Sequence, residues 1–376
     1  MGVEIAIATA KVLVMVLIIL HVMAFGGVYF ERKVSAVIQN RFGANRANIF
    51  GGILPVNLGV LNTLLADPVK FLLKEDIVPA GADKLLHTAA PILALAPVLV
   101  TFAVIPFGDI LTVGGRDINL QGAELNVGLL YILAMASLGV YGVVLGGWAS
   151  NSRWSLLGGI RGSAQMISYE IAMGLSLIGV VLVYNTLDLQ EIARAQGGYF
   201  LRGWLPAWGI LYQPIGFVIF LVAGVAESKR IPFDLPESES ELVSGYFTEY
   251  SGAKHLMFMM ADFVEVVLVS ALVTTLFFGG WQVPYLARYG AMGLPGFHFP
   301  WGATLALPAL LVTLLQIGAF AIKLMFFTWF QVMLRWTLPR FRYDQLMRLG
   351  WQGLLPLALV NVALSALVII WKAGAS

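Results

Sequence analysis

Repeated apolar runs of about 20 residues decide the solvent in which this chain folds. They fall at 8 to 30, 86 to 107, 126 to 149, 164 to 184, 210 to 228, 256 to 280, 303 to 333 and 350 to 371. Each can cross the ~30 Å hydrocarbon core of a bilayer as an α-helix. The 376 residues are 59% hydrophobic and only 12% charged, and a mean hydropathy of +0.84 lies outside the soluble globular range. The fold class is therefore all-α: a polytopic membrane helical bundle of about eight transmembrane helices. No soluble domain, linker, low-complexity tract or fixed-period repeat interrupts it, so 1–376 reads as a single membrane domain. The first run lacks a small-residue cleavage site followed by a soluble domain and is expected to remain as a span.

The run from Ile49 to Ala66 has no charged residue and could be a ninth span, but the distribution of Lys and Arg argues otherwise. With eight spans, the loops after spans one, three, five and seven hold sixteen of them against six on the other side. A ninth span would dilute this to thirteen against nine. Pro55, Asn57, Asn62, Thr63 and the run's glycines also disfavour a straight spanning helix. The segment is expected to be interfacial or re-entrant, with both termini non-cytoplasmic and the acidic loop at 229–254 cytoplasmic.

The chain has no cysteine, which removes thiolate-held iron–sulfur clusters, c-type haem, thiol catalysis and disulfides. Membrane b-haem needs paired intramembrane histidines, and of four histidines only His21 lies well inside a run. No dinucleotide fingerprint or P-loop occurs. The chain is expected to carry no redox centre and no metal, and its net charge of +2 says nothing about nucleic acid.

Against this apolar background, the stretch ESKRIPFDLPESESELVSGYFTEYSGAKH from Glu227 to His255 packs in six carboxylates: Glu227, Asp234, Glu237, Glu239, Glu241 and Glu249. Desolvation and mutual repulsion make such a cluster expensive at a membrane boundary, so it reads as a place that handles protons or positive charge. Glu170, Asp262, Glu265 and Lys323 also fall inside the runs. All should face the protein interior. Asp262 and Glu265 are three apart, hence neighbours on one helix face, where repulsion and desolvation both favour a protonated carboxyl. Lys323 should pair with an acid. Such a string suits a proton relay; the plainer reading is a set of buried ion pairs that hold the bundle together. His21 reads as a packing residue, and Gly142 with Gly146 as a small-residue pair that lets a neighbouring helix approach.

A second constellation is basic. Arg32, Lys33, Arg41 and Arg46 follow the first run, Asp67, Lys70, Lys74 and Glu75 follow the ambiguous one, and Arg340, Arg342 and Asp344 precede the last. They can be topology markers alone, or they can suit the headgroup of a lipid-like substrate whose tail lies in an apolar channel. Composition does not choose between the two.

Six ordered motifs carry a resemblance across nearly the whole chain: ERKVSAVIQNRFGANR, LLKEDIVPAGAD, SLLGGIRGSAQMISYE, AESKRIPFDLPESESELVSGYFTEYSG, FFGGW and PRFRYDQLMRLGW. Together they resemble the membrane-subunit family that includes the H subunit of bacterial respiratory complex I and mitochondrial NADH dehydrogenase subunit 1. The resemblance implies a subunit of a proton-translocating NADH:quinone oxidoreductase in the bacterial inner membrane. It would form the quinone chamber with peripheral-arm subunits, contact small membrane subunits and lipid, and couple quinone reduction to proton translocation. Quinone would be the substrate, with FMN and iron–sulfur clusters held by partner subunits. By motif position, Arg32, Arg41, Arg46, Asp67 and Lys70 would be quinone-side residues. Glu170, Glu227, Asp234, Glu237, Glu239 and Glu241 would be proton-path residues, joined by Asp262 and Glu265.

The chain also departs from the family. Gly43-Ala44-Asn45-Arg46 replaces Gly-Pro-Asn-Arg, and ILPVNLGV at 53–60 reads as an insertion beside the quinone entrance. Ser137 stands where some relatives have glutamate, and Asp262 where many have Glu. Three rival readings are the membrane anchor of an energy-converting hydrogenase, the matching subunit of a ferredoxin-dependent photosynthetic complex, and an autonomous ion antiporter. The PFDLPESESELVSGYFTEYSG and PRFRYDQL stretches favour the quinone enzyme over the hydrogenase, and no matched pair of broken spans supports an antiporter.

Overall fold

The computed structural model describes residues 9, 11–15, 17–18, 26–43, 66–113, 116–200, 203–287 and 295–375, the side chains of 113, 116, 239 and 371–375 excepted. Nine principal helices among them are α1 (Gly26–Ile38), α2 (Asp67–Leu73), α3 (Lys84–Thr101), α4 (Gly128–Ala149), α5 (Arg153–Tyr184), α6 (Pro214–Glu227), α7 (Gly252–Phe277), α8 (Ala309–Thr337) and α9 (Leu355–Ala375). Among the described residues six helical stretches are long and apolar enough to cross a bilayer, and α6 is a shorter apolar helix. The protein is thus a polytopic helical membrane protein. Part of the expected first span, with His21, lies outside the described residues, as does nearly all of the Ile49–Ala66 run.

Two helices depart in length from the runs that announced them. α5 has 32 residues, about 48 Å at 1.5 Å per residue, because the polar stretch before residue 164 continues the helix without a Pro to stop it. α6 has only 14 residues, about 21 Å, because Pro214 at its start lacks the N–H that would extend an earlier helix through it.

The helices sort by what they face. On α5, Ile160, Ile167, Ile171 and Ile178 are exposed, while Gly162, Gln165, Tyr169, Met173 and Ser176 are buried. Spacings of four and seven for the first set, and of three and four for the second, put each on its own stripe, one for lipid and one for protein. At the other extreme, 78% of the most apolar window of α7 is buried, against 22% for the final span. α7 is therefore the axis of the bundle, and what it carries is shielded from lipid. Close approach helps: at Gly142 on α4 a Cβ would lie 2.5 Å from the Ala94 backbone of α3.

Connections alternate between two ends. Those after α3, α5 and α7 hold short antiparallel strands, among them Ile110–Val113 with Arg116–Asn119 and a three-stranded sheet built on Gly296–His298. They lock together through Arg194 to Asp109 (2.8 Å) and Gln282 to the Ala193 carbonyl (2.7 Å). The opposite end gathers the segments after α1, α4, α6 and α8. There Lys254 pairs with Asp76 (2.9 Å), Arg161 with Glu241 (2.8 Å) and Arg340 with Asp234 (2.8 Å). Arg32 at this end pairs with Asp67 (2.9 Å), so the chain on either side of the 44–65 stretch sits at the same end.

Candidate functional site

The centre of the charged end is a lysine. α6 stops at Glu227, and Lys229 two residues on adopts a left-handed backbone (φ 54°), a place usually given to Gly because a Cβ costs about 1 to 2 kcal/mol there. The turn aims the Lys229 side chain back into the bundle, where it is only 2% exposed. Its Nζ lies 3.0 Å from Asp262 Oδ1 and 2.9 Å from Glu265 Oε2. The repulsion expected between these two acids is therefore bridged by a cation. Buried charges so arranged are paired by necessity, and removing one partner typically costs about 3 to 5 kcal/mol.

Beside this triad opens a cavity of about 590 Å³. Its polar wall is made by Glu31, Arg32, Arg41, Arg230, Glu237, Asp262 and Arg335, and its apolar wall by Val28, Phe247, Met259, Phe263 and Trp336. α1 and α8 meet across it through Glu31, which accepts from Arg230 Nη1 (2.9 and 3.2 Å) and from Arg335 Nη1. The Arg230 guanidinium also covers the Phe263 ring, 4.1 Å from its centroid. A pocket with one greasy side and an Arg-rich side suits an amphiphile that carries hydrogen-bond acceptors on an apolar body.

The loop acids spread out instead of clustering. Asp234 accepts from Arg340 (2.8 Å), and Glu241 pairs with Arg161 at the surface. Among the described side chains of these acids, Glu237 alone lines the cavity. Burial, then the charges of Asp262 and Asp234 and a hydrogen bond with Asp262, hold the Glu237 carboxyl well above the usual carboxylate range. Tyr246, fully inside, points its hydroxyl at the Asp262 carboxylate at 3.4 Å. Burial and then the Asp262 charge push that phenol up, so it stays a donor. The loop is held to α5 by Gln165, whose Nε2 donates to the carbonyls of Ala226 (2.7 Å) and Phe233 (2.8 Å). Gly245 (φ 57°) is required at its turn, since a Cβ would collide with the Pro236 carbonyl.

Inside the bundle, Glu227 and Glu265 line a second cavity, about 20 Å³ and walled by apolar residues such as Ile132, Met173 and Phe220. That is room for roughly one water. Glu227 lies within electrostatic reach of Glu265 and of Glu170. Glu170 accepts a hydrogen bond from Ser137.

Of the expected quinone-side residues, Arg32 and Arg41 line the large cavity, and Asp67 is tied to Arg32. Lys70 is exposed and does not line the cavity. Arg46 and the Glu239 side chain lie outside what is described. Lys323 corrects an expectation. It donates to the carbonyls of Phe278 (2.8 Å), Gly280 (3.0 Å) and Gln282 (2.7 Å), with its ammonium 4.8 Å from the Trp208 ring centroid, and no acid is paired with it among the described residues. The connection after α7 doubles back at Gly279 and Gly280, both with positive φ, and that places three carbonyls around one point.

Sequence reasoning misses Glu31 and Lys229. Glu31 leads the ERK triplet, whose basic residues alone stand out in the sequence, and Lys229 counts there only as a topology marker. A lysine two residues past a buried glutamate, at the mouth of a run that must turn inward, is the available signal for Lys229.

Comparisons with known proteins agree with the architecture. The NADH dehydrogenase family model matches residues 10–366. An NADH-quinone oxidoreductase H subunit of Geobacter metallireducens is 45% identical over 369 residues, covering 98% of each chain. The NADH-quinone oxidoreductase H subunit of Thermomicrobium roseum is 46% identical over 360 residues, covering 95% of this chain and 94% of its own. The chain belongs to the NADH dehydrogenase family, as a multi-pass membrane subunit of the complex I type.

Proposed function

We propose that this subunit forms part of the quinone chamber of a proton-translocating NADH:quinone oxidoreductase and couples quinone reduction to proton movement through buried carboxylates. The observation that carries the reading is the double allegiance of Asp262. It lines the large cavity and is bridged by Lys229 to Glu265, which lines the inner cavity with Glu227. A charge change at the cavity wall therefore acts on groups deep in the bundle over two short contacts, in a medium that screens little.

In this reading the apolar wall takes the quinone's tail side, while Arg32 and Arg41, with Arg46, Asp67 and Lys70 nearby in sequence, serve the headgroup and its approach. Glu237 and Asp262 exchange charge with the cavity. Glu265, Glu227 and Glu170 carry the change inward, with Asp234, Glu239 and Glu241 at the loop's polar edge. The chain acts as one membrane domain over 1–376, holds no redox centre, and receives electrons from FMN and iron–sulfur clusters in peripheral-arm partner subunits. Small membrane subunits and lipid cover its apolar flanks. The charged end gathers the Arg and Lys residues of the loops after α1, α4, α6 and α8, which supports a cytoplasmic acidic loop and non-cytoplasmic termini in a bacterial inner membrane.

Glu170→Gln tests the reading, since the amide keeps the shape of the side chain and removes its ionisation. In the assembled complex, quinone reductase activity and proton pumping should fall together by about tenfold or more. Unchanged pumping would make Glu170 a structural residue and remove the inner acids from the path.

A further inference from the structure

We infer that Lys229 is the shared counter-cation of a carboxylate pair that holds one proton, and that its move between Asp262 and Glu265 switches that proton's access from the large cavity to the inner one. This deepens the proposed function and rests on it.

Two carboxylates and one ammonium sum to −1 if both acids are ionised and to zero if one holds a proton. The site is closed to solvent: Lys229 is 2% exposed, and the Asp262 and Glu265 side chains are 8% and 10% exposed. In so poor a dielectric the neutral, one-proton trio is strongly favoured over the charged one. The proton then has two homes. With the proton on Glu265, the ammonium serves Asp262; with the proton on Asp262, it serves Glu265.

Geometry makes the two homes unequal in a useful way. Asp262 is in the wall of the 590 Å³ cavity and Glu265 in the wall of the inner cavity, with the Lys229 ammonium set between them. Both acids lie within hydrogen-bond reach of one Nζ, so their nearest oxygens are at most about 6 Å apart. In the switch, the O–H bond at Asp262 breaks and one forms at Glu265, while the ammonium turns from Glu265 to Asp262 with its three protons intact. No electrons move and no co-reactant is needed. The ammonium hangs on a flexible stem with rotatable donors, which suits a small swing better than a fixed guanidinium fork.

Other charged and titratable groups bear on the trio from each side. Glu227 faces Glu265 from the end of α6. From the loop, Tyr246 donates towards Asp262, Glu237 hydrogen-bonds it, and Arg230 contributes positive charge near Glu265. Across the cavity, Glu31 is already satisfied by Arg230 and Arg335.

The test compares Lys229→Met and Lys229→Arg in the assembled complex reconstituted in vesicles, normalised to complex content. Lys229→Met takes a positive charge from between two carboxylates, so it should move the whole pH profile of quinone reduction upward by about one unit or more. The protons pumped per quinone reduced should fall at least about twofold, since the swing is gone. Lys229→Arg should keep the profile near the wild-type position, since the positive charge remains, but restore the ratio only in part, since the guanidinium fork swings less freely. A purely structural lysine would change the amount of complex, leaving profile and ratio where they were; that result overturns the inference. Should Lys229→Met fail to assemble, Glu265→Gln leaves an Asp262–Lys229 pair with no spare proton. It should cut the pumping ratio, and an unchanged ratio overturns the inference equally. Glu170→Gln and Glu237→Gln separate the switch from the function it rests on. If both leave turnover and pumping intact, the proposed function fails; if they lower them while the Lys229 and Glu265 variants leave profile and ratio unchanged, only the switch fails.

Discussion

Two lysines turned into the protein, Lys229 at the charged end and Lys323 midway along α8, are held by different chemistry. Lys229 is held by two carboxylates, Asp262 and Glu265, each of which can gain or lose a proton. Lys323 is held by three backbone carbonyls, of Phe278, Gly280 and Gln282, which cannot. The surroundings repeat the contrast. Around Lys229 many of the polar contacts are ion pairs, among them Arg230 and Arg335 on Glu31 and Arg340 on Asp234. Towards Lys323 and the strand-bearing end they are largely neutral amides. Gln196 donates to the Thr275 carbonyl and accepts from the N–H groups of Gly209 and Gly279, all within 2.9 Å, and Gln213 bridges Asn361 and Ser365. An ammonium turned into the protein is thus not by itself a sign of proton traffic. What matters is whether its partners can change charge.

The sharpest way to break this contrast is to remove Lys323. Lys323→Met leaves three inward carbonyls without their donor and should cost about 2 to 4 kcal/mol, read as a lower thermal midpoint of the purified complex in detergent. The complex that does assemble should keep its normal ratio of protons to quinone. A lowered ratio at full assembly would put Lys323 in the path and erase the distinction between the two ends.

Next in size is a pH effect at Glu237. Its folded pKa is raised, first by burial and then by Asp262 and Asp234, so its favourable contribution is complete below the ordinary carboxylate pKa and is lost as pH climbs through the raised folded value. Glu237→Gln should therefore flatten the fall in thermal midpoint as pH rises above the ordinary carboxylate range, while leaving the midpoint at lower pH little changed. A parallel fall in wild type and variant would show that Glu237 is ionised throughout that range.

The smallest effect is expected at the rim. Arg161 and Glu241 are paired at 2.8 Å, but the Glu241 side chain is 55% exposed, and such pairs contribute less than about 1 kcal/mol. Arg161→Ala should leave assembly and turnover close to wild type. A large loss of activity would mean that the loop acids act as one unit, against the separation seen between Glu237 in the cavity and Glu241 at the surface.

The two ends are unequally legible in the sequence. Apolar runs announce spans because lipid demands them, and Glu170, Asp262 and Glu265 stand out because charge inside such a run is rare. Partnership is harder to read. Lys229 and Glu31 lie at the edges of apolar runs, where a charge is ordinary, and only the left-handed turn after α6 and the crossing of α1 with α8 reveal that they point inward. The carbonyl cage of Lys323 has no sequence signal beyond the Gly279-Gly280 pair, since backbone acceptors are the same at every residue. For the same reason the acidic loop looks more repulsive in the sequence than it is: Arg161 and Arg340, which take up Glu241 and Asp234, come from segments 80 and 106 residues away.

The central claim, that quinone chemistry at the large cavity changes protonation at the Asp262–Lys229–Glu265 trio, is tested most directly by infrared difference spectroscopy. Spectra of the assembled complex would be taken with quinone oxidised and reduced, in the wild type and in Asp262→Asn, Glu265→Gln and Lys323→Met. A carboxyl C=O band should appear in the wild-type difference, be lost or displaced in the Asp262 and Glu265 variants, and persist in Lys323→Met. A wild-type band that survives unchanged in both acid variants would contradict the claim and move the coupling site elsewhere in the complex.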